Sequence, residues 1–122
     1  MARIFLDTNI FIDAIHRKPE KKIQESLIGQ ILYISPFSIG IYCYLYKVKT
    51  PNVILSAQIK KFHLLELSDS ICDKALKGPT DDFEDNIQLH SAAEAECDLF
   101  LTEDKKLLSM KFFGKTKIAS TT

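Results

Sequence analysis

Arg3-Ile4-Phe5-Leu6-Asp7-Thr8-Asn9 begins as a short apolar strand and ends on a carboxylate. Its apolar run, Ile4-Phe5-Leu6, suits a parallel sheet covered on both faces by helices, since neither face meets water. Outward from it, strand-like runs alternate with helical patterns, the signature of βαβ units. Further strands are expected over Ile31–Ile34, Phe62–Leu67 and Leu99–Thr102, with Lys117–Ala119 as an edge strand. Helices are expected over Asn9–His16, Glu20–Gly29 after the Pro19 break, and from Ser35-Pro36 through Tyr46. Serine at a cap followed by proline in the first turn is a helix start. Asn52 and Ser68 offer caps for helices through Lys61 and Leu76. After the break at Lys77-Gly78-Pro79-Thr80, Asp81 with Glu84 three residues on reads as a capping box for a helix to Cys97. A short helical turn is expected around Leu107-Leu108. Together these elements predict a three-layer α/β/α sandwich around a central parallel sheet of four to five strands, in a single domain over residues 1–122.

Three acids stand where such strands would end. Asp7 closes the first, Asp85 opens the helix after the Pro79 break, and Asp104 follows Leu99-Phe100-Leu101-Thr102-Glu103. Loops at the carboxyl ends of parallel strands converge on one crevice. Carboxylates gathered there repel one another unless a cation lies between them. All-oxygen donors suit Mg²⁺ or Mn²⁺, so the pattern points to metal-dependent hydrolysis, with phosphodiesters as substrate. Thr8, Asn9 and Thr102, beside these acids, are the candidates to position a water or a scissile phosphate. Asp81, Asp82 and Glu84 read as capping, solvated residues, with Asp82 within reach of an outer shell. Each of the three principal acids also has a plainer reading as a helix cap or turn residue. His16, His63 and His90 lack metal-ligand spacing and read as structural.

Composition sets the frame. With 46% hydrophobic and 26% charged residues the chain has the profile of a globular protein. Basic and acidic residues number 16 each, so no bulk charge advertises nucleic acid. Their distribution is uneven: twelve acids lie between Glu66 and Asp104 against Lys74 and Lys77, while basic pairs such as Lys60-Lys61 and Lys105-Lys106 flank that stretch. An acidic centre beside lysine-bearing surfaces fits a metal pocket next to a phosphate track, although solvated faces alone would look similar. Cys43, Cys72 and Cys97 are odd in number and sit in apolar contexts, as free thiols in a reducing cytoplasm do. The longest apolar segment, Ile31–Tyr46, is interrupted by Ser35, Pro36, Ser38 and Gly40 and is no membrane span.

The residues also carry a family resemblance. Ile4-Phe5-Leu6-Asp7-Thr8-Asn9-Ile10-Phe11-Ile12-Asp13 resembles the opening motif of PIN-domain nucleases. Asp82-Phe83-Glu84-Asp85 with the Ala92-Ala93 helix, and Asp98-Leu99-Phe100-Leu101-Thr102-Glu103-Asp104, resemble the motifs bearing that family's later acids. Order and length are similar to those of VapC-type toxins of bacterial toxin–antitoxin pairs. The resemblance implies a Mg²⁺- or Mn²⁺-dependent endoribonuclease cutting single-stranded RNA, with Asp7, Asp85 and Asp104 as metal-holding catalytic residues. It also leaves room for an antitoxin protein and a homodimer as partners. Such nucleases carry a glutamate on the helix after the second strand. That position falls near Ile41 here, and no acid occurs between Glu25 and Glu66. Two other readings stand beside it: an RNA- or protein-binding module of the same fold that does not cut, and a phosphatase with Asp7 as nucleophile. The second normally needs another acid two residues on, where this chain has Asn9.

Overall fold

A computed structural model describes residues 1–16 and 27–121. The helix expected over Glu20–Gly29 lies mostly outside them. The described elements, in chain order, are β1 (Arg3–Leu6), α1 (Thr8–Ile15), β2 (Ile31–Ile34), α2 (Pro36–Leu45), α3 (Val53–Ile59) and β3 (His63–Leu64). Then follow α4 (Asp69–Lys77), α5 (Phe83–Glu94), β4 (Leu99–Leu101), α6 (Lys105–Met110), β5 (Phe112–Phe113) and β6 (Thr116–Ala119).

The sheet runs β3-β2-β1-β4-β6-β5, parallel except for β5, which is antiparallel to β6. Strand β1 is central, and its alternation divides the core. Ile4 and Leu6 join one cluster with Phe11, Ile12 and Ile34, while Phe5 joins another with Leu89, Phe100, Leu107 and Ile118. Phe5 and Phe100 stack with centroids 5.3 Å apart. Ile4, Phe5 and Leu6 are all buried because each face has its own helical layer. This is the α/β/α arrangement that the alternation of strand and helix implied.

The caps are equally local in origin. Ser35 Oγ accepts from the Phe37 N–H at 3.1 Å, Asn52 Oδ1 from Leu55 at 2.9 Å, and Ser68 Oγ from Ile71 at 3.2 Å. Each satisfies one of the amides a helix start leaves unpaired.

Three expectations need correction. The sheet has six strands rather than four or five. Residues 116–119 form an inner strand because Phe112-Phe113 folds back on them through Gly114-Lys115. Gly114, at φ +60°, supplies the positive φ that a two-residue hairpin turn demands. Strand β3 stops after Leu64: it pairs only with Tyr33 and Ile34, and the chain then leaves the sheet edge toward the Ser68 cap. Finally, the cap of α5 is Asp82, not Asp81; Asp82 Oδ1 accepts from the Asp85 N–H at 3.0 Å. The shift follows from buried Asn86. Its side chain accepts from Thr80 N (2.9 Å) and Thr80 Oγ1 (2.6 Å) and donates to the Thr80 and Ala75 carbonyls, both at 2.9 Å. That knot holds Thr80 in the loop and delays the helix by one residue.

Candidate active site

The carboxyl edge of the sheet has one natural crevice. From β1 the chain runs to β2 on one side and later returns to β4 on the other, so the loops after β1 and β4 diverge between them. Asp7 leaves β1 there, with its backbone N–H bonded to the Leu101 carbonyl at 3.0 Å. Thr102 and Asp104 leave β4 beside it, and Asp82 and Asp85 approach on the first turn of α5.

Asp7 is buried and firmly held. Its Oδ2 accepts from Thr102 Oγ1 at 2.6 Å and its Oδ1 from the Thr8 N–H at 2.7 Å. The same Thr102 hydroxyl accepts from the Asp104 N–H at 3.0 Å. One buried threonine thus ties together the two acids that end β1 and β4. Asp104 then caps α6, its Oδ1 accepting from Lys106 N at 2.8 Å and Leu107 N at 3.2 Å. Asp85 and Asp104 share a cleft of about 340 Å³ with Asp82, Lys105 and Lys106.

The electrostatics mark a surplus of negative charge. Asp85 is pushed up to about 7, first by burial and then by the charges of Asp82, Asp7, Asp104 and Glu84. Burial also raises Asp7 above the ordinary carboxylate range, against the lowering effect of its hydrogen bonds, and the Asp104 charge adds to the rise. Glu84 is raised by burial too, with the Thr8 hydroxyl opposing and the Asp7 and Asp82 charges adding. Charged forms so disfavoured ask for a cation. Among the described residues, however, no three acids, histidines or cysteines stand close enough together to enclose a metal ion directly.

Of the three residues expected to position substrate, Thr102 is spent on Asp7 and Asp104. Thr8 is buried, its hydroxyl 2.8 Å from Ser38 Oγ and 3.3 Å from Gln88 Oε1. Asn9 alone is exposed on the first turn of α1. Ile41, where the resemblance implies an acid, is half-buried on α2 one turn beyond Ser38. The histidines have structural partners: His16 Nδ1 lies 2.9 Å from the Tyr42 hydroxyl, His90 Nε2 2.9 Å from the Gly78 carbonyl, and His63 packs on Tyr33.

Sequence reading missed the polar scaffold beneath the acids. Ser38, Asn86 and Gln88 are buried, and none has a local sequence signal beyond being polar within an apolar helical pattern. Glu84, expected to be solvated, is half-buried, with its Oε2 3.4 Å from Gln88 Nε2.

The sequence pattern of the PIN domain matches this chain over residues 4–112. The chain belongs to the PIN domain family. No curated protein matches it by sequence. Among solved structures, a chain of VapBC2 from Rickettsia felis, bound to a DNA fragment from their promoter, is similar at a TM-score of 0.67. Identity is 15%, and the match covers 96% of this chain and 97% of that one. At that identity the likeness speaks for the PIN-like fold. PIN domains are generally nucleases, and no helix among this one's described residues is long and apolar enough to cross a membrane.

Proposed function

We propose that this PIN domain is a Mg²⁺- or Mn²⁺-dependent endoribonuclease acting on single-stranded RNA, built as one domain and working in the cytoplasm. What supports this reading is that the Thr102 hydroxyl links Asp7 to Asp104, that Asp85 and Asp104 line one cleft, and that Asp85 is pushed up to about 7 by burial and by its acidic neighbours. The donor set fits a hard divalent cation: every candidate ligand is a carboxylate oxygen, and positive charge would relieve the strain on all of them.

Asp7, Asp85 and Asp104 would hold the ion, which when bound supplies Lewis acidity and positive charge at the scissile phosphate. The chain's own residues do the rest. Thr102 fixes the Asp7 carboxylate by its 2.6 Å hydrogen bond and keeps Asp104 in register with it. Lys105 and Lys106, on the wall of the cleft, hold backbone phosphates of the strand without reading its bases. Asn9, exposed beside Asp7, is placed to touch the phosphate or the attacking water. Water adds to phosphorus and the leaving ribose oxygen departs, so one phosphodiester bond becomes a phosphomonoester and a hydroxyl.

The VapBC2-like fold supports a further part of the reading, that this chain is the toxin of a toxin–antitoxin pair. Tyr44, Leu45, Val53 and Ile54 are exposed at 84%, 55%, 80% and 73%, enough apolar surface to be covered by an antitoxin or by a second copy in a homodimer.

The deciding experiment is incubation of the purified chain with unstructured RNA and Mn²⁺ or Mg²⁺. Cleavage that stops with EDTA and with Asp7→Asn supports the enzyme. RNA bound but left intact in every metal favours the non-cutting module, a reading to which Ile41 in place of an acid lends weight.

A further inference from the structure

Beyond Asp104 the chain carries Lys105, Lys106, Lys111, Lys115 and Lys117 and no acid. Helix α4 closes on two more lysines, Lys74 and Lys77. Between the end of α4 and the β5–β6 hairpin lies a hollow of about 260 Å³, lined by Lys74, Lys77, Gly78, Pro79, His90 and Phe113. Its surface is almost wholly apolar, it includes no carboxylate, and both lysines are exposed. Lys77 Nζ has Asp73 at 3.1 Å, but both side chains stand in water, where such a pair is weak. Helix α5 fixes the walls. His90 Nε2 donates to the Gly78 carbonyl at 2.9 Å, and its ring stands at 89° to that of Phe113 with centroids 5.0 Å apart. One turn earlier on the same face, Asn86 grips Thr80. The segment from Gly78 to Thr80 is thus held at both ends, and it runs on into the acidic cleft, whose lining includes Thr80 and Asp81.

A held apolar wall with an aromatic ring, rimmed by ammonium groups, has the chemistry of single-strand binding. Any base can stack on a ring, and lysines hold the phosphates on either side of it. The hollow is smaller than the pockets of drug-sized ligands, which start at roughly 300 Å³, and suits one base better than a larger molecule. We propose that it seats one unpaired base of a single-stranded RNA, with Phe113 and Pro79 against the base and Lys74 and Lys77 against the adjoining phosphates. The choice of RNA rests on the reading above, but the subsite uses neither the acids nor a metal ion. A strand lying in the acidic cleft would reach it along Thr80 and Pro79, so the hollow anchors the substrate to one side of the scissile bond.

The test is binding of a short fluorescein-labelled oligoadenylate to the whole chain in EDTA, read by anisotropy over a range of salt. Four proteins are compared: wild type, Phe113→Leu, Lys74→Gln and Lys49→Gln, the last an exposed lysine between α2 and α3. Phe113→Leu keeps an apolar side chain but removes the ring, and affinity should fall about fivefold or more, the loss of one stacked base. On an oligonucleotide of the same length without bases, Phe113→Leu and wild type should bind alike. Lys74→Gln should weaken binding and reduce the slope of log Kd against log salt by about 0.7, one phosphate contact on a single strand. Lys49→Gln should stay within about twofold of wild type. Equal losses in Lys74→Gln and Lys49→Gln, wild-type affinity in both hollow variants, or no binding by wild type would each overturn the subsite. If Phe113→Leu does not fold, an unchanged affinity and salt slope in Lys74→Gln overturns it alone. Weakened binding in the hollow variants of a chain that cuts no RNA in Mn²⁺ would leave the subsite standing and remove the nuclease reading.

Discussion

Strand β4 is entered past one aspartate and left toward another, and the two stand in opposite circumstances. Asp98, at the amino edge, is exposed, and its Oδ2 accepts from the Arg3 N–H at 2.8 Å while the Arg3 guanidinium reaches the neighbouring Ala95 carbonyl. Asp104, at the carboxyl edge, adds its charge to Asp7 and Asp85. The first acid stitches β1 to the start of β4 and has nothing further to balance. The second adds its charge to Asp7 and Asp85, both already raised by burial. Acids of one residue type, six positions apart, are thus structural at one edge of the sheet and unbalanced at the other. The difference arises from topology: loops converge at the carboxyl edge where the strand order reverses.

The sharpest way to break this comparison is to neutralise one acid at each edge. Asp7→Asn is expected to lower RNA cleavage by on the order of a hundredfold or more, the loss typical when one preorganised electrostatic contact to a transition state is removed. Asp98→Asn should leave cleavage within about twofold and cost roughly 0.5–1.5 kcal/mol of stability, the worth of one hydrogen bond. Equal losses of activity would erase the distinction between the edges.

Metal should stabilise the carboxyl edge alone. At a hundredfold excess over its dissociation constant, an ion binding only the native state adds about 2.7 kcal/mol. For a chain of this size that corresponds to a rise in Tm of roughly 10 °C. The same Mn²⁺ concentration should raise the Tm of Asp98→Asn as much as that of wild type and that of Asp85→Asn far less. Parallel shifts in all three proteins would mean non-specific binding.

A smaller effect follows from the raised carboxyl of Asp85. Its folded-state pKa of about 7 lies above the ordinary 3.8, so between those values the native state binds more protons than the unfolded chain. Stability contributed by this group therefore falls as pH rises through that window and is level above it. In EDTA, the urea midpoint of wild type minus that of Asp85→Asn should decline from pH 5 to pH 8. A difference that stays flat or grows would contradict the crowding of acids.

How much of this was legible in the residues depended on how local its cause is. The caps at Ser35, Asn52 and Ser68 rest on contacts two or three residues away and were readable from short patterns. So were β1 and β2, whose apolar runs Ile4–Leu6 and Ile31–Ile34 lie inside the sheet. Asp81 and Asp82 are adjacent and chemically alike, and only the tertiary knot around Asn86 chooses between them as the cap of α5. Phe112-Phe113 is too short to announce a strand, and its pairing with β6 depends on the turn at Gly114-Lys115. The burial of Gln88 against Thr8 and the engagement of the Thr102 hydroxyl depend on contacts spanning 80 and 95 positions, out of reach of any local pattern.

An effect on cleavage smaller than that of Asp7→Asn is expected at that hydroxyl. Thr102→Val keeps the shape of the side chain but leaves Asp7 Oδ2 and the Asp104 N–H without their shared partner, at a cost of about 1–3 kcal/mol. Cleavage should fall less than in Asp7→Asn, because both carboxylates remain. A loss as large as that of Asp7→Asn would make Thr102 a direct participant.

The most direct test of the central claim is the anomalous signal of Mn²⁺ in crystals of the protein. The account predicts a peak in the crevice between β1 and β4, with the Asp7, Asp85 and Asp104 carboxylates around it, directly or through water. A bound Mn²⁺ found only elsewhere on the molecule, with this crevice empty at saturating metal, would contradict it.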